Sequence, residues 1–289
     1  MRLFVFGMGY TSQVIAGLLR AEGWDVRGTG RAGTVAFEDR AAVLAELGAA
    51  SHVLSSVPPG RDGEDPVLAA YGEALTAAPA GWIGYLSSTG VYGDTGGAWV
   101  DESAEVGSGR RTARAAADLA WQDLGQDLGQ PQGARVRVFR LPGIYGPGRS
   151  ALDRVREGHA NRIALEGQVF SRVHVDDIAS GVIAGFAGPG GVYNLSDDEP
   201  TSQNTVIEEA ARLLGVAPPP LRTLEEAALS PMALAFYAEN RRVANGRAKR
   251  LLGWRPRYRT YREGLRALNA TTSPTIASAA PKPASSDQR

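Results

Sequence analysis

Apolar positions along this chain fall into two patterns: short uninterrupted runs, and longer stretches with a three-to-four-residue period. The chain starts RLFVFGMGYTSQVIAGLL over residues 2–19, where Leu3, Phe4, Val5 and Phe6 form an unbroken run of β-forming residues. Such a run predicts a strand buried on both faces. Val14, Ile15, Leu18 and Leu19 then recur at helical spacing. The same alternation continues. Residues 25–29, 52–57, 82–86, 136–139 and 191–195 read as strands, and 169–175 leads into Asp176 and Asp177, which start a helix before 178–186. Helices are predicted around 40–47, 110–128 and 205–214, and another begins with Asp65 as cap and Pro66 in its first position. The triple proline 218–220 ends the helix over 205–214. Strands alternating with helices of this length imply a parallel, doubly wound α/β sheet.

The first strand-to-helix turn carries chemistry. Gly7 and Gly9 stand in G-x-G spacing, with Ser12 where a third glycine often sits. Between a strand and a helix, this pattern is a dinucleotide-binding turn: one glycine allows the tight bend and the next lets backbone N–H groups approach a pyrophosphate. Gly7, Gly9, Tyr10, Thr11 and Ser12 are therefore the expected cofactor loop, the last two offering hydroxyl donors. The second strand ends without an acidic residue to bind a ribose 2′-hydroxyl and is followed by Arg31, whose guanidinium suits a 2′-phosphate. This favours NADP(H) over NAD(H); a solvated loop arginine is the plainer reading. Ser56, Val57 and Pro58 close the third strand, where a cofactor crevice is expected.

Composition narrows the partners. Lysine plus arginine and aspartate plus glutamate each number 31, so net charge is zero and no broad nucleic-acid or membrane footprint is expected. The basic positions between Arg241 and Arg262 read as a solvated helix face. Cysteine is absent, and the three histidines, His52, His159 and His174, are far apart, so no metal site is expected. No stretch approaches the ~20 apolar residues of a membrane span, and the apolar start is strand-length rather than a leader, so a cytoplasmic protein acting on a small molecule is expected.

Four stretches in order resemble the extended short-chain dehydrogenase/reductase superfamily, which includes the nucleotide-sugar epimerases and dehydratases. They are the glycine loop, LSSTGVYG at 86–93, RLPGIYGP at 140–147 and HVDDI at 174–178; Tyr193-Asn194 and LGW at 252–254 look like its C-terminal part. The resemblance implies a Rossmann-type sheet with a small C-terminal α/β substrate region. The expected division is a dinucleotide-binding core over 1–150, a mixed segment over 151–269 and a disordered tail over 270–289. It also implies that Ser88 is the catalytic hydroxyl and that Leu141, Pro142 and Gly143 pass beside the nicotinamide. At the family's Tyr-x-x-x-Lys pair this chain reads RRTAR, 110–114, with Asp118 in the following acidic place. Arg114 can bind ribose hydroxyls in place of Lys, but Arg110 cannot alternate as acid and base. The chain thus looks like an atypical member. Tyr92, Tyr145, Asp94, Asp101 and His174 are the remaining proton-transfer candidates, and Arg172 falls near the family's substrate-phosphate arginine. The expected function is an NADP(H)-binding oxidoreductase or epimerase-like enzyme for a small polar, nucleotide-linked or free, substrate. The alternative is a non-catalytic NADP(H)-binding sensor.

Overall fold

The computed structural model describes residues 1–60, 63–107, 112–127, 135–229, 234 and 236–272. Six strands form one parallel sheet: β1 (Arg2–Phe6), β2 (Asp25–Gly28), β3 (His52–Ser55), β4 (Trp82–Ser88), β6 (Val136–Leu141) and β10 (Gly191–Asn194), in the order β10-β6-β4-β3-β1-β2. Alternation along each strand builds two cores. Leu3, Val5, Leu54, Trp82 and Phe139 face α1 (Tyr10–Ala21) and α6 (Val175–Ala184), packing on Ile15, Leu19, Ile178 and Val182. Phe4, Phe6, Val53, Ile83 and Val138 face the other way, onto Val43 and Leu47 of α2 (Arg40–Ala49), Tyr71 and Leu75 of α3 (Pro66–Ala77) and Trp121 of α4 (Thr112–Asp127). Burial on both faces is why the start of the chain reads as an unbroken apolar run at β1.

The chain leaves β1 for β2 on one side and returns to β3 on the other, so the C-terminal ends of β1 and β3 diverge. Ligands of open α/β sheets bind in the crevice at such a point. A third cluster closes the cleft from the C-terminal side. It joins Leu152 of α5 (Ala151–Arg156), Val206 and Ala210 of α7 (Gln203–Leu214), and Tyr261, Leu265 and Leu268 of α9 (Tyr261–Thr272), the last helix; α8 spans Gly246–Leu251. Three two-stranded parallel pairs stitch this region together: β5 (Trp99–Val100) with β12 (Arg242–Val243), β7 (Gly143–Tyr145) with β9 (Arg172–His174), and β8 (Arg162–Ile163) with β11 (Leu221–Arg222).

Several expectations shift. α6 begins at Val175, one residue before the aspartates, because the His174 ring accepts from Asp176 N–H and serves as the cap. α7 ends on left-handed Gly215, ahead of the prolines. The tail does not begin at Ala270: α9 continues to Thr272, carried by the stripe Tyr261, Leu265 and Leu268. Residues 273–289, Leu128 and Arg110 lie outside the described residues. Among the described residues, no helix is long and apolar enough to cross a membrane.

Candidate active site

The glycine turn is fixed by backbone geometry. Gly7 has φ +85°, and a Cβ there would meet Ser56 Oγ and Val57 Cγ2 at 3.0 Å. Its N–H donates to Thr29 Oγ1 at 3.1 Å and the next N–H, of Met8, to Thr29 O at 2.7 Å, so the turn is tied to the end of β2. Ser56 Oγ donates to Gly7 O at 2.6 Å and accepts from Ser12 Oγ at 2.9 Å. Ser12 is thus buried inside the turn, and its hydroxyl is a brace rather than the ligand donor expected from sequence. Val57 lies under the turn and, like Gly7, is outside the cleft lining. Gly9 caps α1 without any side-chain acceptor, which leaves the first-turn N–H groups open to an anion.

Gly9, Tyr10 and Thr11 line a cleft of about 550 Å³ with Ser56 and Pro58. Its far wall holds Ser88, Arg114, Leu141, Pro142 and Gly143. Ten of the fourteen residues expected at the site are thereby brought together. Ser88 Oγ accepts from Gly90 N–H at 3.1 Å, capping the short 3₁₀ turn Thr89–Tyr92, and its own hydrogen remains available to a ligand. Arg31 is exposed in the turn after β2, outside the cleft lining, but Thr29, two residues earlier, is bonded to the glycine loop.

Below the cleft floor lies a buried polar network. Asp118, fully buried, accepts from Arg140 Nη2 at 2.7 Å and Nε at 3.1 Å, from Ser87 Oγ at 2.5 Å and from Gln122 Nε2 at 2.7 Å. Burial works against the Arg140 charge, but the Asp118 carboxylate outweighs it and holds the guanidinium above its usual range. Arg140 Nη1 also donates to Tyr92 OH at 3.0 Å, and Tyr92 OH donates to Asn194 Oδ1 at 2.7 Å. Tyr92 is therefore a structural hydroxyl, its pKa raised chiefly by burial.

The other proton-transfer candidates are not brought to the cleft either. The Asp94 carboxylate accepts from Gly96 and Asn240 N–H groups, and Asp101 accepts from Ser103, whose hydroxyl holds that carboxyl below its usual range. Tyr145 is buried against α9 with its pKa pushed up by burial. His174 Nδ1 accepts from Asp176 N–H at 3.2 Å, and burial lowers its pKa, so the ring is neutral. Arg172, lowered to about 10 by burial, is committed to the carbonyls of Phe170, Thr201 and Ser202 and to Gln203 Oε1, which removes it as a free phosphate ligand.

No family model matches the chain. A solved protein of unknown function from Silicibacter pomeroyi is 42% identical, with TM-score 0.81 over 93% of this chain and 98% of that one. The 3-diazoavenalumate denitrifying reductase of a Streptomyces species is 34% identical over 169 residues, 53% of this chain and 52% of that enzyme. The chain thus matches about half the length of its curated relatives. The UDP-glucose 4-epimerase of Thermotoga maritima, solved with UDP-glucose, shares the fold at TM-score 0.75 and 18% identity, over 93% of this chain and 98% of that one. The chain shares its fold with these enzymes.

Three charged cleft residues escaped sequence reasoning: Arg149, Glu239 and Arg241. Arg149 places its guanidinium 5.8 Å from the Tyr10 ring centroid, while Tyr10 OH donates to Pro147 O at 3.1 Å, so the loop after β7 bridges to the glycine turn. Its position just beyond the Gly-Pro-Gly turn was the one available signal. Arg241 donates to Gly93 O and pairs with Glu239 at 2.8 Å, an arrangement created by the β5–β12 pairing and invisible in local sequence. Other cations of the basic run are paired as well: Lys249 and Arg259 with Asp198, and Arg262 with Glu199.

Proposed function

We propose that this chain is an NADP(H)-dependent oxidoreductase working in the reductive direction on a small organic substrate. The observation that carries the proposal is the uncapped N-terminus of α1 opening onto the same cleft as Ser88 and the Leu141, Pro142, Gly143 segment. A dinucleotide fits the turn: a Cβ on Gly9 would have nothing within 4 Å, so protein packing does not require glycine there, whereas close passage of a pyrophosphate does. Bound in reduced form, the nicotinamide would supply a hydride to the substrate. Arg114 would hold its ribose hydroxyls, and Arg31 its 2′-phosphate.

A proton accompanies the hydride in either direction, so the reductive sense is taken from the reductase among the relatives. Oxidising an alcohol needs a base to take the hydroxyl proton. Among the described residues, the one carboxylate lining the cleft is Glu239, and it is ion-paired to Arg241. Reduction needs the matching proton donor. Ser88 can donate its hydrogen to the substrate atom that gains charge, and water can complete protonation. That one relative is a reductase supports this reading. Arg110 in the family's Tyr position favours a second reading, a nucleotide-binding sensor, in which NADPH binds and no acceptor oxidises it.

Calorimetric titration with NADPH and NADH, on the protein and on Arg31→Ala, tests the cofactor assignment. Losing a charge-assisted contact worth ~1.5–3 kcal/mol should weaken NADPH about 10–100-fold and leave NADH nearly unchanged. Equal losses for both would refute the role of Arg31, and NADPH oxidation with a panel of electron-poor acceptors separates enzyme from sensor.

A further inference from the structure

Beyond Gly143 the cleft opens into a second chamber of about 450 Å³, a size that suits a small organic ligand. The two spaces share Gly143, Ile144, Arg149, Phe170, Ser171 and Phe236, so a molecule seated in the second chamber reaches the wall assigned to the nicotinamide. Ile144, Phe170, Val206, Phe236 and Leu265 give it apolar walls, joined by the rings of Tyr145 and Tyr261. Phe170 and Phe236 stack with centroids 4.2 Å apart and planes 11° from parallel, which presents a flat aromatic side to the interior.

Apart from the Tyr145 and Tyr261 hydroxyls, which have no hydrogen-bond partner among the described residues, the main polar groups inside are engaged. Arg172 spends its donors on three carbonyls and Gln203 Oε1, and Ser171 Oγ accepts from Val243 N–H at 2.9 Å. A nucleobase placed here would find few partners for the donors and acceptors along its edge, and each one left unpaired costs affinity. A hydrocarbon ring leaves none.

The rim has the opposite character. Arg149 and Arg154 both line the chamber and are exposed, and neither has a carboxylate partner among the described residues. Two acids, Asp153 and Glu157, line the same rim. Asp153 accepts from Ser150 N–H and Oγ in the capping box of α5, and Glu157 lies 3.4 Å from His159 Nδ1. Two unpaired guanidinium groups at the mouth of an aromatic chamber are a receptor for an anion attached to a flat apolar body.

We infer that the second chamber is the substrate site and takes a planar aromatic carboxylate, ring inward and carboxylate on Arg149 and Arg154, rather than a nucleotide sugar. The inference rests on the cofactor reading above, because the shared wall is the proposed nicotinamide segment.

The test is calorimetry on NADPH-saturated protein with three probes: 2-naphthoate, the uncharged 2-naphthalenemethanol, and UDP. NADPH binding, recorded first, is judged separately: its failure overturns the cofactor reading, while the chamber inference stands or falls on the probes. The naphthoate should bind at least 10-fold tighter than the alcohol. Arg149→Ala/Arg154→Ala should erase that difference, with Arg154→Ala alone, on the residue that lines only the second chamber, giving part of the loss. Phe170→Ala should weaken acid and alcohol together. Equal affinity for acid and alcohol, tighter binding of UDP than of naphthoate, or no binding of any probe overturns the inference.

Discussion

At Gly7 the chain leaves β1 with φ +85°, and a methyl group would press on Ser56 Oγ and Val57 Cγ2; two residues on, a methyl group at Gly9 would stand in open space with ordinary backbone geometry, φ −88°. The two glycines therefore answer to different demands. Gly7→Ala should cost the left-handed penalty of ~1–2 kcal/mol plus the strain of two tight contacts, read as a lower midpoint in urea denaturation. Gly9→Ala should leave stability within about 0.5 kcal/mol, since it touches nothing in the protein. Yet its methyl would stand where a pyrophosphate must approach the α1 N-terminus, so NADPH affinity should fall more than 10-fold. If Gly9→Ala binds NADPH like the parent, the cradle assignment fails. Ser12 shows why residue type alone was not enough: its place in the motif was legible, but the direction of its hydroxyl was decided by Ser56, 44 residues away.

Among elements, α4 is held to the sheet by one buried carboxylate. Asp118 joins Ser87 at the end of β4 to Arg140 on β6, and through Arg140 reaches Tyr92 and β10. This fixes the spacing between Ser88, Arg114 one turn before Asp118, and the segment beginning at Leu141. Removing either partner strands a buried charge, so Asp118→Ala and Arg140→Met should each cost ~3–5 kcal/mol, and the double variant clearly less than their sum. Additive losses in chemical denaturation would mean the two do not act as a pair. The sequence displayed Asp118 on its helix but not its partner, because the pairing exists only once β4 and β6 are neighbours. The same limit governs the elements. The central strands were legible because burial on both faces concentrates apolar residues in them, most plainly in β1. β5, β8, β11 and β12, two residues each, carry no period to read, and with them went Glu239 and Arg241, which reach the cleft through the β5–β12 pair.

For the molecule as a whole, buried titratable groups set opposing responses to pH. His52 sits against Trp24, Trp82 and Phe186, at centroid distances of 4.9, 5.8 and 4.6 Å. Burial, helped by Arg137, lowers its pKa to about 4, and burial lowers His174 as well. An unfolded histidine titrates near ~6.5, so below that value the unfolded chain binds protons that the folded one refuses, and the stability these residues contribute is lost as pH falls. Asp177 runs the other way. Burial raises it to about 6, although its oxygens accept from the backbone N–H groups of Arg257 and Tyr258, and burial raises Asp197 and Glu102 too. Unfolded aspartate titrates near ~3.9, so between there and about 6 the folded chain binds the extra protons. That contribution is present below ~4 and is lost as pH rises through 6. The two sets oppose each other in the window from ~6.5 to ~4.5, and the parent Tm should change little across it. His52→Leu removes one descending contribution, so its Tm should fall less on acidification than the parent's, or rise. Asp177→Asn removes an ascending one and should fall more. Scanning calorimetry at half-unit pH steps reads the slopes, which separate titration from any loss of packing that lowers both variants uniformly. Parallel pH profiles for parent and variants would show that neither buried group titrates as its surroundings dictate.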